Sequence, residues 1–117
     1  MPISITLDSV TCVATSAGPT ADEVYIVYQA DAGIPRHVPR RFTAPHSMGN
    51  GETWNVGQEM EFNRDLLVTL YDHDESLTDT RSDFLVSYDY TPDSLPGSVT
   101  VSNNDGAQYT LKITVNN

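Results

Sequence analysis

The sequence predicts an all-β domain, an antiparallel sandwich or small barrel of about eight short strands. Three observations carry that prediction. Apolar residues recur at every second position along most of the chain, which gives an extended strand one apolar and one polar face. Gly, Pro, Asn and Asp cluster between those runs, where a chain of short strands must turn. No window carries the apolar period of a convincing amphipathic helix.

Each element follows from its own residues. Ile3, Ile5 and Leu7 alternate with Ser4, Thr6 and Asp8, and Val10, Cys12 and Ala14 alternate beyond them. The stretch 16–22 is a loop by composition, with Gly18-Pro19 at its centre. Residues 24–28 read Val-Tyr-Ile-Val-Tyr, β-branched and aromatic side chains that suit a pleated surface. Somewhere in 36–43, bracketed by Pro35, Pro39 and Pro45, lies an edge strand or broken extended segment, because proline removes a ladder donor. A second loop over 45–51 contains Gly49-Asn50-Gly51, and residues 56–62 form a weaker strand bearing glutamates. Residues 66–71, Leu-Leu-Val-Thr-Leu-Tyr, are the most apolar run and read as a central strand. Strands over 84–90, 97–102 and 108–115 complete the set, and Asn103-Asn104-Asp105-Gly106 is a hairpin turn built from residues that tolerate positive φ.

Length and charge narrow the function. At 117 residues the chain is one domain's worth, read as a single domain over 1–117. Six Lys and Arg against sixteen Asp and Glu leave a net charge of −10, which argues against nucleic acid, whose phosphates demand clustered cations. The same balance opposes an anionic membrane unless something first reverses the local sign. Cys12 is the lone cysteine, so neither an intrachain disulfide nor a thiolate zinc site can be built. There is no apolar run long enough for a transmembrane segment and no signal-peptide pattern at the start, which allows the cytoplasm and leaves non-classical export open, so the compartment is not legible. The oligomeric state is not legible.

Residues 71–83 carry five carboxylates (Asp72, Asp74, Glu75, Asp79 and Asp83) and one arginine, Arg81. At the end of a strand, residues i and i+2 leave the same face, so Asp72 and Asp74 can converge on one point. Carboxylates so close repel one another, and a hard cation that takes about six to eight oxygen ligands relieves the repulsion; Ca²⁺ is the usual choice. Asp79 or Asp83, Ser76 and backbone carbonyls could supply further oxygens. A solvated acidic loop is the competing reading. An EF-hand is excluded, because Leu77 would stand at the sixth position, where the sharp turn wants Gly, and Asp83 at the twelfth, where the loop wants Glu.

The run Leu66 to Tyr71 followed by Asp72-His73-Asp74 and, after a polar stretch, Ser82-Asp83-Phe84-Leu85 resembles the third top loop of C2 domains, the calcium- and phospholipid-binding β-sandwich family. Ala21-Asp22-Glu23-Val24-Tyr25-Ile26 resembles the segment after that family's first loop. Gly51-Glu52-Thr53-Trp54-Asn55-Val56 with Met60-Glu61-Phe62 is similar to the stretch entering the strand between the two. Order and approximate spacing agree over roughly residues 3–90. The resemblance implies an eight-stranded antiparallel C2-like sandwich with one calcium site built from Asp22, Asp72, Asp74 and Asp79 or Asp83. The chain departs from the family at Ser16, where a second first-loop Asp is usual, at Glu23 for Pro and at Val86 for Gly. The interval from Asp74 to Asp83 is also about three residues longer, which leaves open whether Asp79 or Asp83 is the later ligand. Without that second Asp, a two- or three-ion cluster is not implied.

Half of all cations, Arg36, Arg40 and Arg41, fall within six residues. They offer an anion or partner site on an edge strand: a lipid headgroup, an acidic sugar or a partner's carboxylates. Intramolecular pairing and edge protection are the competing readings. His37, His46 and His73 lack zinc-site spacing, and His73 should point away from the aspartates that flank it. Trp54 and the tyrosines could offer a carbohydrate platform, although the resemblance places Trp54 in the core. No Ser-His-Asp or Cys-His grouping appears at recognisable spacing, so an enzyme is not expected. The sequence therefore points to a non-catalytic, calcium-responsive binding module for a phospholipid headgroup or other anion. A metal-free protein-interaction domain is the main alternative, and a small calcium-dependent lectin the fainter one.

Overall fold

The computed structural model describes residues 2–15, 21–38, 46–73, 82–104 and 106–116, with only the backbone of Ser82 and Asp83. Every helix or strand among them is a β-strand: β1 (Ile3–Ala14), β2 (Asp22–Ala30), β3 (Arg36–Val38), β4 (His46–Met48), β5 (Thr53–Phe62), β6 (Leu66–His73), β7 (Ser82–Tyr90), β8 (Ser98–Ser102) and β9 (Gln108–Val115). They make two antiparallel sheets, ordered β5-β1-β9-β8 and β3-β2-β6-β7, with β4 also paired to β2. The inner faces meet in one core. Ile5, Leu7, Val10, Tyr109, Leu111 and Ile113 come from the first sheet, and Val24, Ile26, Leu66, Val68, Leu70 and Leu85 from the second. No described helix is long and apolar enough to cross a membrane.

One departure from the sequence pattern lies at the edge of the second sheet. Of the edge element expected over 36–43, β3 covers 36–38 and the rest lies outside the described residues. A further short strand, β4, stands within the segment 45–51 expected as a loop. Both lie end to end on β2. β3 pairs along Ile26–Tyr28 and β4 along Asp22–Val24. Hence there are nine described strands rather than eight; β4 begins just beyond Pro45, where no apolar alternation marks it. β1 follows its sequence pattern, its buried positions shifting from odd (Ile5, Leu7) to even (Val10, Cys12). A bulge between Leu7 and Ser9 absorbs the slip and keeps both halves facing the core. Thr114 Oγ1 donates to Asp8 Oδ2 at 2.6 Å, tying β9 to the bulged residue. Opposite, β5 answers with Gly57 at φ 64°.

At the other end of β2 the chain turns through Asp31 and Ala32, both at positive φ. The Asp31 carboxylate accepts the backbone N–H of Asn63, Arg64 and Asp65 at 2.9, 2.6 and 3.1 Å, joining this turn to the one between β5 and β6. Three donors aimed at the ionised form hold this carboxyl below its ordinary range.

Candidate functional site

Strand ends from both sheets are cross-linked at one end of the sandwich. Where β1 finishes, Thr15 N donates to Asn50 Oδ1 at 2.9 Å and Gly51 N to the Cys12 carbonyl at 2.7 Å. Asn103, after β8, donates to the carbonyl of Leu85 on β7 at 2.8 Å. The start of β2 and the end of β6 are joined by Asp72, whose Oδ1 accepts the Glu23 N–H at 2.7 Å.

The register decides which sequence-predicted residues meet here. Val24 sits opposite Asp72, and Asp72 is in turn opposite Asp83 on β7. Val24 is fully buried, so Asp72 across from it and Asp22 two residues before it lie on the inner side of the sheet. Asp22, Asp72 and Asp83 thus stand on three adjacent strands at a single end. Asp74, Asp79, Arg40 and Arg41 lie outside the described residues. Arg36 is remote from this end, exposed on β3 opposite Tyr28.

Asp22 is completely buried, and the hydroxyl of Tyr109 donates to its Oδ2. Tyr109 belongs to the facing sheet, so this bond spans the core. Cys12 is paired with Tyr109 across β1 and β9, and its buried thiol lies within hydrogen-bonding reach of the same hydroxyl. Burial pushes the Tyr109 hydroxyl far above its ordinary range, with the bond to Asp22 adding to the effect; burial likewise pushes the Cys12 thiol up. Tyr109 is therefore a neutral donor and Cys12 an unreactive thiol. Sequence reading places Cys12 inside but misses its link to Tyr109 and Asp22. The available signal is the alternation of Tyr109 with Leu111 and Ile113, since a buried tyrosine hydroxyl usually needs a partner.

The histidines go elsewhere. On the outer face, His37 stacks on Tyr25, and Tyr25 on Tyr71, with ring centroids 6.0 and 5.4 Å apart; His73 meets Tyr25 edge-on at 6.3 Å. His73 thus points away from Asp72. His46 stacks on Trp54 at 4.8 Å and covers one face of the half-buried indole. Among the described residues there is no group of three or more His, Cys, Asp or Glu side chains poised to hold a metal.

No protein-family model and no curated protein sequence matches the chain, but solved structures do. Human GIVD cytosolic phospholipase A2 matches with a TM-score of 0.56 at 12% identity, over 96% of this chain and 16% of that one. The same enzyme in complex with methyl gamma-linolenyl fluorophosphonate inhibitor and terbium chloride gives 0.53 at 10% identity, over 97% and 17%. A structure of a C2 domain by itself gives 0.50 at 12% identity, over 97% of both chains. The fold is C2-like. This C2-like chain spans about a sixth of the length of the phospholipase chains it matches. The buried Tyr109–Asp22 bond and the Asp72–Glu23 bond stand at one end of this C2-like sandwich, where the start of β2 lies beside the end of β6.

Proposed function

We propose that this C2-like domain is a non-catalytic, calcium-responsive binding module whose ligand is an anion of the phospholipid-headgroup class. The supporting observation is the register of β2, β6 and β7, which gathers Asp22, Asp72 and Asp83 at one end. A donor set of carboxylate oxygens without nitrogen or thiolate suits a hard cation rather than zinc or copper. Asp74 and Asp79 follow Asp72 in the same connection and are the candidates to complete the shell. One phospholipase of similar fold was solved with terbium chloride, a hard cation that takes oxygen ligands as calcium does. Bound calcium supplies local positive charge that an anionic headgroup can reach. The chain's own residues do the rest: Tyr109 orients Asp22 from the core side, and the Glu23 N–H orients Asp72.

Terbium luminescence excited through tyrosine tests the site, since Tyr71 is the chain neighbour of Asp72. Terbium should give sensitised emission that calcium displaces and that Asp72→Asn abolishes. Thermal melting should show calcium stabilising the fold by about 2.7 kcal/mol at a hundredfold excess over its dissociation constant. No melting shift at millimolar calcium, or an equal shift in Asp72→Asn/Asp74→Asn, defeats the reading. A protein partner is the second reading, favoured by the acidic outer edge of β5.

A further inference from the structure

Among the described residues β5 ends its sheet with β1 as its strand partner, and the outer edge of such a strand carries backbone N–H and C=O groups that can pair with an added strand. In the half beyond the Gly57 bulge, Glu59, Met60 and Glu61 form one wall of an open groove of about 520 Å³ between the two sheets. Tyr28, Ile34 and Arg36 form the opposite wall, with Met60 between. Ile34 is 83% exposed, the most exposed of the large apolar side chains described. Glu59 and Glu61 stand exposed on the rim, and neither carboxylate has an ion-pair partner among the described residues.

An edge strand beside a groove that mixes apolar (Tyr28, Ile34, Met60) and charged (Arg36, Glu59, Glu61) side chains can take an added strand, and the charges decide which strand. A second copy of this chain is disfavoured. Antiparallel pairing of two β5 edges about Met60 would set Glu59 opposite Glu61 twice over, and like charges directly opposite destabilise a sheet. The same two glutamates attract cations at alternate positions of an incoming strand. Arg36 on the facing wall repels cations there, so basic side chains are confined to the face that carries Glu59 and Glu61.

We propose that residues 58–62 of β5 dock an extended segment of a partner protein in which basic and apolar residues alternate. The segment adds as a fifth strand to this sheet. Its Lys or Arg side chains lie against Glu59 and Glu61, and its apolar side chains enter the groove over Met60, between Tyr28 and Ile34. Main-chain hydrogen bonds supply affinity and the alternation supplies specificity. Calcium has no part in this docking, so it stands or falls separately from the cation site.

Fluorescence anisotropy with a labelled peptide of alternating Lys and Val, run on the full chain, tests the proposal. Glu59→Lys/Glu61→Lys should weaken binding by about tenfold or more, while Asp89→Lys/Asp93→Lys, an equal charge change elsewhere, should leave it within about twofold. Ile34→Asp should weaken binding, and methylating alternate backbone nitrogens of the peptide should abolish it. Amide exchange should slow within residues 58–62 of the bound protein. Equal binding of the methylated peptide would mean charge attraction alone and overturn the proposal. Equal loss in the Asp89→Lys/Asp93→Lys control, no binding at about millimolar peptide, or sedimentation showing a dimer that Glu59→Lys/Glu61→Lys dissociates would overturn it too.

Discussion

Two buried tyrosines near opposite ends of the core illustrate how one side-chain type can serve or strain a fold. Tyr109 donates to the buried Asp22, whereas the Tyr90 hydroxyl is buried without a hydrogen-bond partner among the described residues. Replacing each by phenylalanine should therefore act in opposite directions. Tyr109→Phe removes a hydrogen bond to a buried carboxyl inside the core and should destabilise by about 1–3 kcal/mol. Tyr90→Phe removes an unsatisfied polar atom at little cost in packing and should stabilise by about 1 kcal/mol. Urea unfolding of the two variants checks both signs. Tyr109→Phe should also weaken terbium binding if Asp22 is a ligand, because the carboxylate loses the bond that aims it.

At the scale of elements, the bulge and the clamped turn are the positions where local conformation is most constrained. Gly57 lies at positive φ with open space where a Cβ would stand, so Gly57→Ala adds no clash but places a side chain in the left-handed region. Loss of about 1–2 kcal/mol is expected in urea melts. At the opposite end, the Asp31 clamp makes a prediction in pH. Its carboxyl titrates below its ordinary value of 3.8 in the folded chain, so its contribution is fully present above that value. The contribution is lost as pH falls through the lower folded value. Acid melts of Asp31→Asn should be flatter than those of the parent below about pH 4, with the two curves converging at the acid extreme. A parent and variant with parallel acid curves would remove the clamp from the account.

Across the whole molecule, the net charge of −10 becomes a pattern. Acidic groups collect on the strand ends around Asp72 and along the outer edge of β5, while Arg36 faces that edge across the groove. Self-repulsion on this scale is screened by any salt. Sodium chloride should therefore raise the melting temperature gradually. The calcium response argued above must exceed that at equal ionic strength, and the excess must vanish in Asp72→Asn. The covering of one Trp54 face by His46 removes part of what a sugar would stack on, which weighs against the lectin alternative.

The strands themselves were legible in the sequence because side-chain alternation is a local property with a period of two. Even the bulge in β1 is visible as the slip from Leu7 to Val10, and β3 as the start of the edge element among the prolines around residues 36–43, whereas β4 lies where the sequence predicts a loop. The acidic end was legible in part, since Asp72 follows the most apolar run and Asp22 opens another. Only the tertiary structure decided which strands lie side by side, and so which distant residues meet. Tyr109 and Asp22 are 87 positions apart, and no local pattern pairs them. Nor does alternation alone say which strand ends a sheet, because an edge strand and an interior one share the same period. Pairing follows from burying both inner faces at once, and that long-range condition left β5, with Glu59 and Glu61, at the rim.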